Sequence, residues 1–132
     1  MSRPGDIDDV VYIAPGRDLP LHEARAIVTA AIRDACARGA RGLLADFHDW
    51  NAGPAPSLAM RIDSTKEWAA AAAPLPRFAV ALVMPPAMVD PGRIGPILGR
   101  GLGFNFNVCG SVDEARAWLD AEVAAARARP GR

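Results

Sequence analysis

Arg41-Gly42-Leu43-Leu44-Ala45-Asp46-Phe47-His48-Asp49-Trp50 is the stretch whose reading decides the fold. Gly42 to Ala45 is apolar without alternation, and it breaks at Asp46 into a polar and aromatic tail that runs on to Asn51. A run of strand length with no alternation suits a strand covered on both faces, as in a parallel sheet between helices. It is therefore read as a central strand. Its tail then lies at the carboxyl end of the sheet, where open α/β folds place their ligand or partner site.

The segments on either side fit that reading. From Pro20 to Arg38 the positions Leu21, Ala24, Ile27, Val28, Ala31, Ile32 and Ala35 fall on one face of a 3.6-residue period. Asp18 is placed to cap this helix, Pro20 to occupy its first turn and Gly39 to take the left-handed position after its end. Before it, Asp9 to Ala14 is β-branched and aromatic and stops at Pro15-Gly16, a first strand followed by turn chemistry.

Downstream, the turn formers Asn51-Ala52-Gly53-Pro54-Ala55-Pro56 lead into a continuous helix from Ser57 to about Ala73, with Leu58, Ile62, Ala69 and Ala72 along its buried side. Pro74 and Pro76 end it. Phe78 to Met84 is a second continuous apolar strand, closed by Pro85-Pro86. Met88 to Gly103 reads as a short or broken helix, because Asp90-Pro91 has the form of an N-cap pair while Gly95-Pro96 interrupts a helix begun there. Phe104 to Cys109 alternates, as a strand with one solvated side nearer a sheet edge does. Ser111 and Glu114 have capping-box spacing and open a last helix carrying Ala115, Trp118, Leu119, Glu122 and Val123.

Four strands alternating with four helices predict an α/β fold of one domain over 1–132: a mostly parallel four-stranded sheet flanked by helices, β-α-β-α-β-α-β-α. Residues 1–7 and 127–132 are expected to fray. At 132 residues the chain is long enough to bury a core without staples. Fifteen basic and fifteen acidic residues cancel, which argues against nucleic acid or an anionic membrane as partner. Partners are then recognised by shape. Cys36 and Cys109 lack CxxC spacing and read as reduced core residues, so a cytoplasmic setting is expected. The start has no apolar h-region, and no run is long enough to span a membrane.

Asp46, His48 and Asp49 are the candidates for acid–base work. In an extended strand Asp46 and His48 share a face with Phe47 opposite, so a carboxylate can orient an imidazole. The chain offers no nucleophile at motif spacing, and a metal site would need ligands it scarcely has, so no metal and no cofactor are expected. Gly99-Arg100-Gly101-Leu102-Gly103 precedes a strand, the wrong polarity for a phosphate-binding turn, and reads as a helix terminator. Trp50 and the run Met84-Pro85-Pro86-Ala87-Met88 follow the two continuous apolar strands and, if those strands are neighbours, give one edge a soft apolar surface. Cover by the second and third helices is the equal alternative. Trp68 and Trp118 are read as packing residues, and alanine-rich helix faces permit a homodimer.

The order of elements resembles the STAS family, and within it the SpoIIAA-like branch. The resemblance is carried by Leu75-Pro76 followed by Phe78-Ala79-Val80-Ala81-Leu82-Val83, by the Gly103-Phe104-Asn105 to Val108 strand, and by the Ser111 to Leu119 helix, and with the first helix it spans nearly the whole chain. It implies a small bacterial domain that docks to a protein partner, or holds a small ligand, and does no chemistry. Two features depart from the family: only one strand precedes the first helix where STAS domains open with a hairpin, and Asn51 to Ser57 stands where regulatory members carry an Asp-Ser-Ser-Gly-like turn. Ser57 is the positional counterpart of the phosphorylatable serine, and an ordinary N-cap accounts for it.

Two function classes result. One is a non-enzymatic, STAS-like, regulatory module binding a protein partner or small apolar ligand at the carboxyl edge, over residues 47–57 and 84–93, through Phe47, His48, Trp50, Ser57, Met84 and Met88. The other is a small enzyme using His48 with Asp46 or Asp49.

Overall fold

A computed structural model describes residues 9–127. Four strands, β1 (Val10–Ile13), β2 (Gly42–Asp46), β3 (Ala79–Val83) and β4 (Asn105–Cys109), form one sheet in the order β1-β2-β3-β4. All three pairings are parallel. Four helices connect and follow them: α1 (Leu21–Ala37), α2 (Leu58–Ala72), α3 (Ile94–Gly101) and α4 (Val112–Arg127), with a 3-10 turn at Pro86–Met88. The expected α/β architecture is present. Among the described residues β1 stands alone before α1.

Strand order fixes where the helices go. Consecutive parallel strands joined by crossovers of one hand place every crossover helix on the same face. Accordingly α1, α2 and α3 pack side by side over the rows Val11–Leu43–Val80–Phe106 and Ile13–Ala45–Leu82–Val108. On the opposite face α4 packs alone across β2, β3 and β4. There Ala115 and Leu119 pack with Leu44, Ala79, Ala81, Val83 and Cys109. Close approach is the reason for Gly42: a Cβ there would stand 3.0 Å from the Ala79 carbonyl oxygen and 3.3 Å from Leu119. Arg127, at the end of α4, pairs with Asp9 ahead of β1, so α4 runs from the carboxyl end of β4 toward the amino end of β1. Of the termini expected to fray, only Arg127 is among the described residues.

Several local expectations change. Asp18 does not cap α1; Pro20 itself is the N-cap, and its carbonyl accepts the Glu23 and Ala24 N–H groups. Of the expected buried side of α2, Ala72 is buried, Ile62 and Ala69 are half-buried and Leu58 is 61% exposed, while Ser64, Thr65, Trp68 and Ala71 are buried as well. The cause is tertiary: α2 is wedged between α1 and α3 and hides the flank that meets both. The 88–103 segment holds the expected short helix, but Gly95-Pro96 does not interrupt it: the helix begins only at Ile94 and includes the pair. Pro96 falls in the first turn, where its missing N–H leaves no bond unmade. Gly95 and Gly99 let this short helix lie close against β4, since a Cβ on Gly95 would stand 2.9 Å from the Phe106 ring.

Candidate functional site

The upper halves of β3 and β4 are incompletely covered on the three-helix face. Val80 is fully buried, yet Leu82, one row nearer the carboxyl edge, and its neighbour Val108 are only half-buried. On this side α3 is only eight residues long and is reached from β3 through the Pro85–Arg93 connection. A crevice of about 90 Å³ results, with Leu82 and Val108 on its floor. Its walls include Val28 of α1, Trp68 of α2, Phe47 and Trp50 after β2, and Met84 and Met88 after β3.

Four of the expected binding residues thus converge, in a different manner from the one expected. Trp50 is 4% exposed and Met84 is also buried, so the soft apolar edge is a lined pocket and no open surface. Trp50 is fixed by its indole N–H, which donates to the Leu19 carbonyl at 2.7 Å. Its backbone N–H donates to Phe47 in a tight turn, and Asn51 N–H donates to Arg17, so the tail of β2 closes over the β1–α1 loop. Ser57 stands just outside as the N-cap of α2, with its hydroxyl accepting the Met60 N–H. Residues from 47–57 and 84–93 meet at the pocket, joined by α1 and α2 side chains that the strand-end argument did not include.

Those additions give the pocket a polar mouth. Arg25, Arg61, Arg93 and Asp90 line it together with Ser64 and Thr65. Arg25 is engaged: its guanidinium pairs with Glu67 at 2.8 Å, and Glu67 also takes the Thr29 hydroxyl. That hydroxyl bond, offset by burial and helped by Arg25, holds Glu67 below the usual carboxylate range. Asp90 accepts the Gly92 and Ile94 N–H groups at 3.1 and 3.0 Å, and these bonds, against a smaller effect of burial, hold it low as well. This loop keeps Arg93 in the left-handed conformation, φ 53°, ψ 42°, which disfavours a residue bearing a Cβ. The Arg93 guanidinium reaches Asn107 at the free edge of β4.

Asp46, His48 and Tyr12 form a separate group on the α4 side of the sheet. Phe47 and His48 do not prolong the strand; the Asp46 carboxylate accepts the His48 N–H at 3.0 Å and bends the chain back. The same oxygen lies 2.8 Å from His48 Nδ1, and the other accepts the Tyr12 hydroxyl at 2.6 Å. Tyr12 pairs with Leu44, which puts Asp46 diagonally across from it and within reach of a long side chain. Sequence reasoning missed Tyr12; the signal was its position one strand over at the same edge. Asp49 is exposed and acts on His48 only through its charge.

The electrostatics arise from that geometry. Burial pushes the Asp46 carboxyl up, but the bonds from Tyr12 and from the His48 backbone and ring outweigh it and leave it low. The bond to Asp46, then its charge, raises His48. The Tyr12 phenol is raised for the same first reason. Asp46 is 5% exposed and His48 open to water, so a buried carboxylate orients a solvent-facing imidazole. Among the described residues no three His, Cys, Asp or Glu side chains converge as metal ligands. None of the helices they form is long and apolar enough to cross a membrane.

Comparison with known protein families, with curated proteins and with solved structures finds no match.

Proposed function

We propose that this chain is a STAS-like, non-enzymatic binding module whose crevice takes a small apolar ligand. The observation that carries the reading is the half-buried pair Leu82 and Val108, which line the crevice beside the fully buried Val80 and Ala45 of the same sheet face. Apolar side chains exposed inside a concavity, ringed by tryptophan and methionine, are the ordinary lining of a ligand site. At about 90 Å³ the crevice encloses only part of a longer molecule, so a flexible chain that enters through the mouth and leaves one end outside suits it. Binding of 1-octanol, read from the fluorescence of Trp50 and Trp68 in the walls, tests this. Leu82→Phe should fill the floor, weaken binding at least about tenfold and change stability by no more than about 1 kcal/mol. Equal octanol affinity in the two proteins, or none in the natural one, sinks the proposal.

The Tyr12–Asp46–His48 chain favours a second reading, a general base at the same sheet edge but on the α4 face. A carboxylate at 2.8 Å from Nδ1 fixes the tautomer that leaves Nε2 free to accept a proton. On this reading His48→Ala lowers the rate of any turnover by about 100-fold or more while leaving octanol binding untouched. A turnover that survives the substitution dismisses His48 as the base.

A further inference from the structure

The mouth of the crevice has more to bind than its apolar floor needs. Arg61 uses only Nε, which donates to the Pro56 carbonyl at 3.1 Å. Its two terminal nitrogens have no salt bridge among the described residues, and it is half-buried. Ser64 lies one helical turn further on, on the same side of α2, and lines the same pocket. It is 6% exposed, and its hydroxyl has no hydrogen-bond partner among the described residues, whereas neighbouring Thr65 donates to the Arg61 carbonyl at 2.8 Å. A buried hydroxyl without a partner is costly, and its natural complement is an acceptor on a bound molecule.

Charge gives the sign of that acceptor. With Arg25 neutralised by Glu67, the remaining charged side chains of the mouth are Arg61, Arg93 and Asp90, a net of one positive charge. Resting on the pocket reading, we infer that the ligand is a linear amphiphile with a single anionic head. Its chain lies over Leu82 and Val108, and its carboxylate accepts from the Arg61 terminal nitrogens and from the Ser64 hydroxyl. The guanidinium fork matches a carboxylate in geometry as well as in charge.

Octanoate, 1-octanol and octylamine share one chain and differ in head group, so they test the inference. The natural protein should bind octanoate about tenfold tighter than octanol, and octylamine least. Arg61→Gln should erase the difference between octanoate and octanol, and Arg61→Lys, which keeps the charge but loses the fork, should keep only part of it. Ser64→Ala should weaken octanoate about threefold without lowering the melting temperature, because alanine is the better helix former and no internal bond is lost. Octanol bound as tightly as octanoate, or an octanoate preference that survives Arg61→Gln, overturns the anionic head and leaves the apolar pocket standing. Binding of none of the three overturns both. A Ser64→Ala variant that melts lower, with octanoate affinity unchanged, removes Ser64 from the site.

Discussion

Phe106→Ala is expected to remove about 3–5 kcal/mol of unfolding free energy, a fall of roughly 10–20 °C in melting temperature. Phe106 is buried at the end of the row Val11–Leu43–Val80–Phe106, where three elements meet on one ring. It stacks on Phe104 with centroids 5.2 Å apart, and Trp68 of α2 meets it edge-on at 5.7 Å. Gly95 of α3 lies directly against it. Alanine leaves a void that none of these can fill, because Trp68 is tied by its indole N–H to the Arg25 carbonyl and α3 already sits at its closest approach. The void also opens into the crevice, which Phe106 lines. Urea unfolding checks this, with Phe106→Leu as the control at about 1 kcal/mol. A loss below about 1 kcal/mol for the alanine variant means that the aromatic cluster does not hold α3 to the sheet.

Asp46→Ala is expected to cost about 2 kcal/mol, and Asp46→Asn about half that. The buried carboxylate accepts from Tyr12 and twice from His48. Alanine ends all three bonds; asparagine keeps one good acceptor but loses the charge. Tyr12 is 48% exposed and His48 faces water, so the side-chain donors freed on both residues are rehydrated, which keeps the loss below that of a sealed network.

The pH dependence has a definite sign. Asp46 is held below its ordinary 3.8, so its contribution is present above that value and fades as the pH falls through the folded one. His48 is raised above 6.5, so its contribution is full below 6.5 and is lost as the pH rises through the folded value. The pair therefore stabilises most between about pH 4 and 6.5. NMR titration should find His48 above the ordinary histidine value in the natural protein and back at it in Asp46→Asn. A His48 titration indifferent to that substitution contradicts the hydrogen bond.

The sequence by itself determined the architecture. Continuous apolar runs at 42–45 and 78–84, too short for helices and bounded by turn formers, read as strands covered on both faces, and the helices between them favour parallel pairing. It also determined that Phe47, Trp50, Met84 and Met88 belong to one edge, because strand ends of a parallel sheet lie together. The order β1-β2-β3-β4 was left to tertiary packing, and with it the gathering of three helices on one face. That gathering turned an edge into a pocket, buried Trp50 and exposed Leu58. Helical periodicity names an apolar stripe, but which flank of α2 is hidden depends on where α1 and α3 lie. The polar mouth was equally out of reach, since Arg61 and Ser64 come from mid-helix, Arg93 and Asp90 from a broken loop, and only folding brings them together. Tyr12 and Asp46 are adjacent for the same reason: their contact spans 34 residues and exists only through strand register.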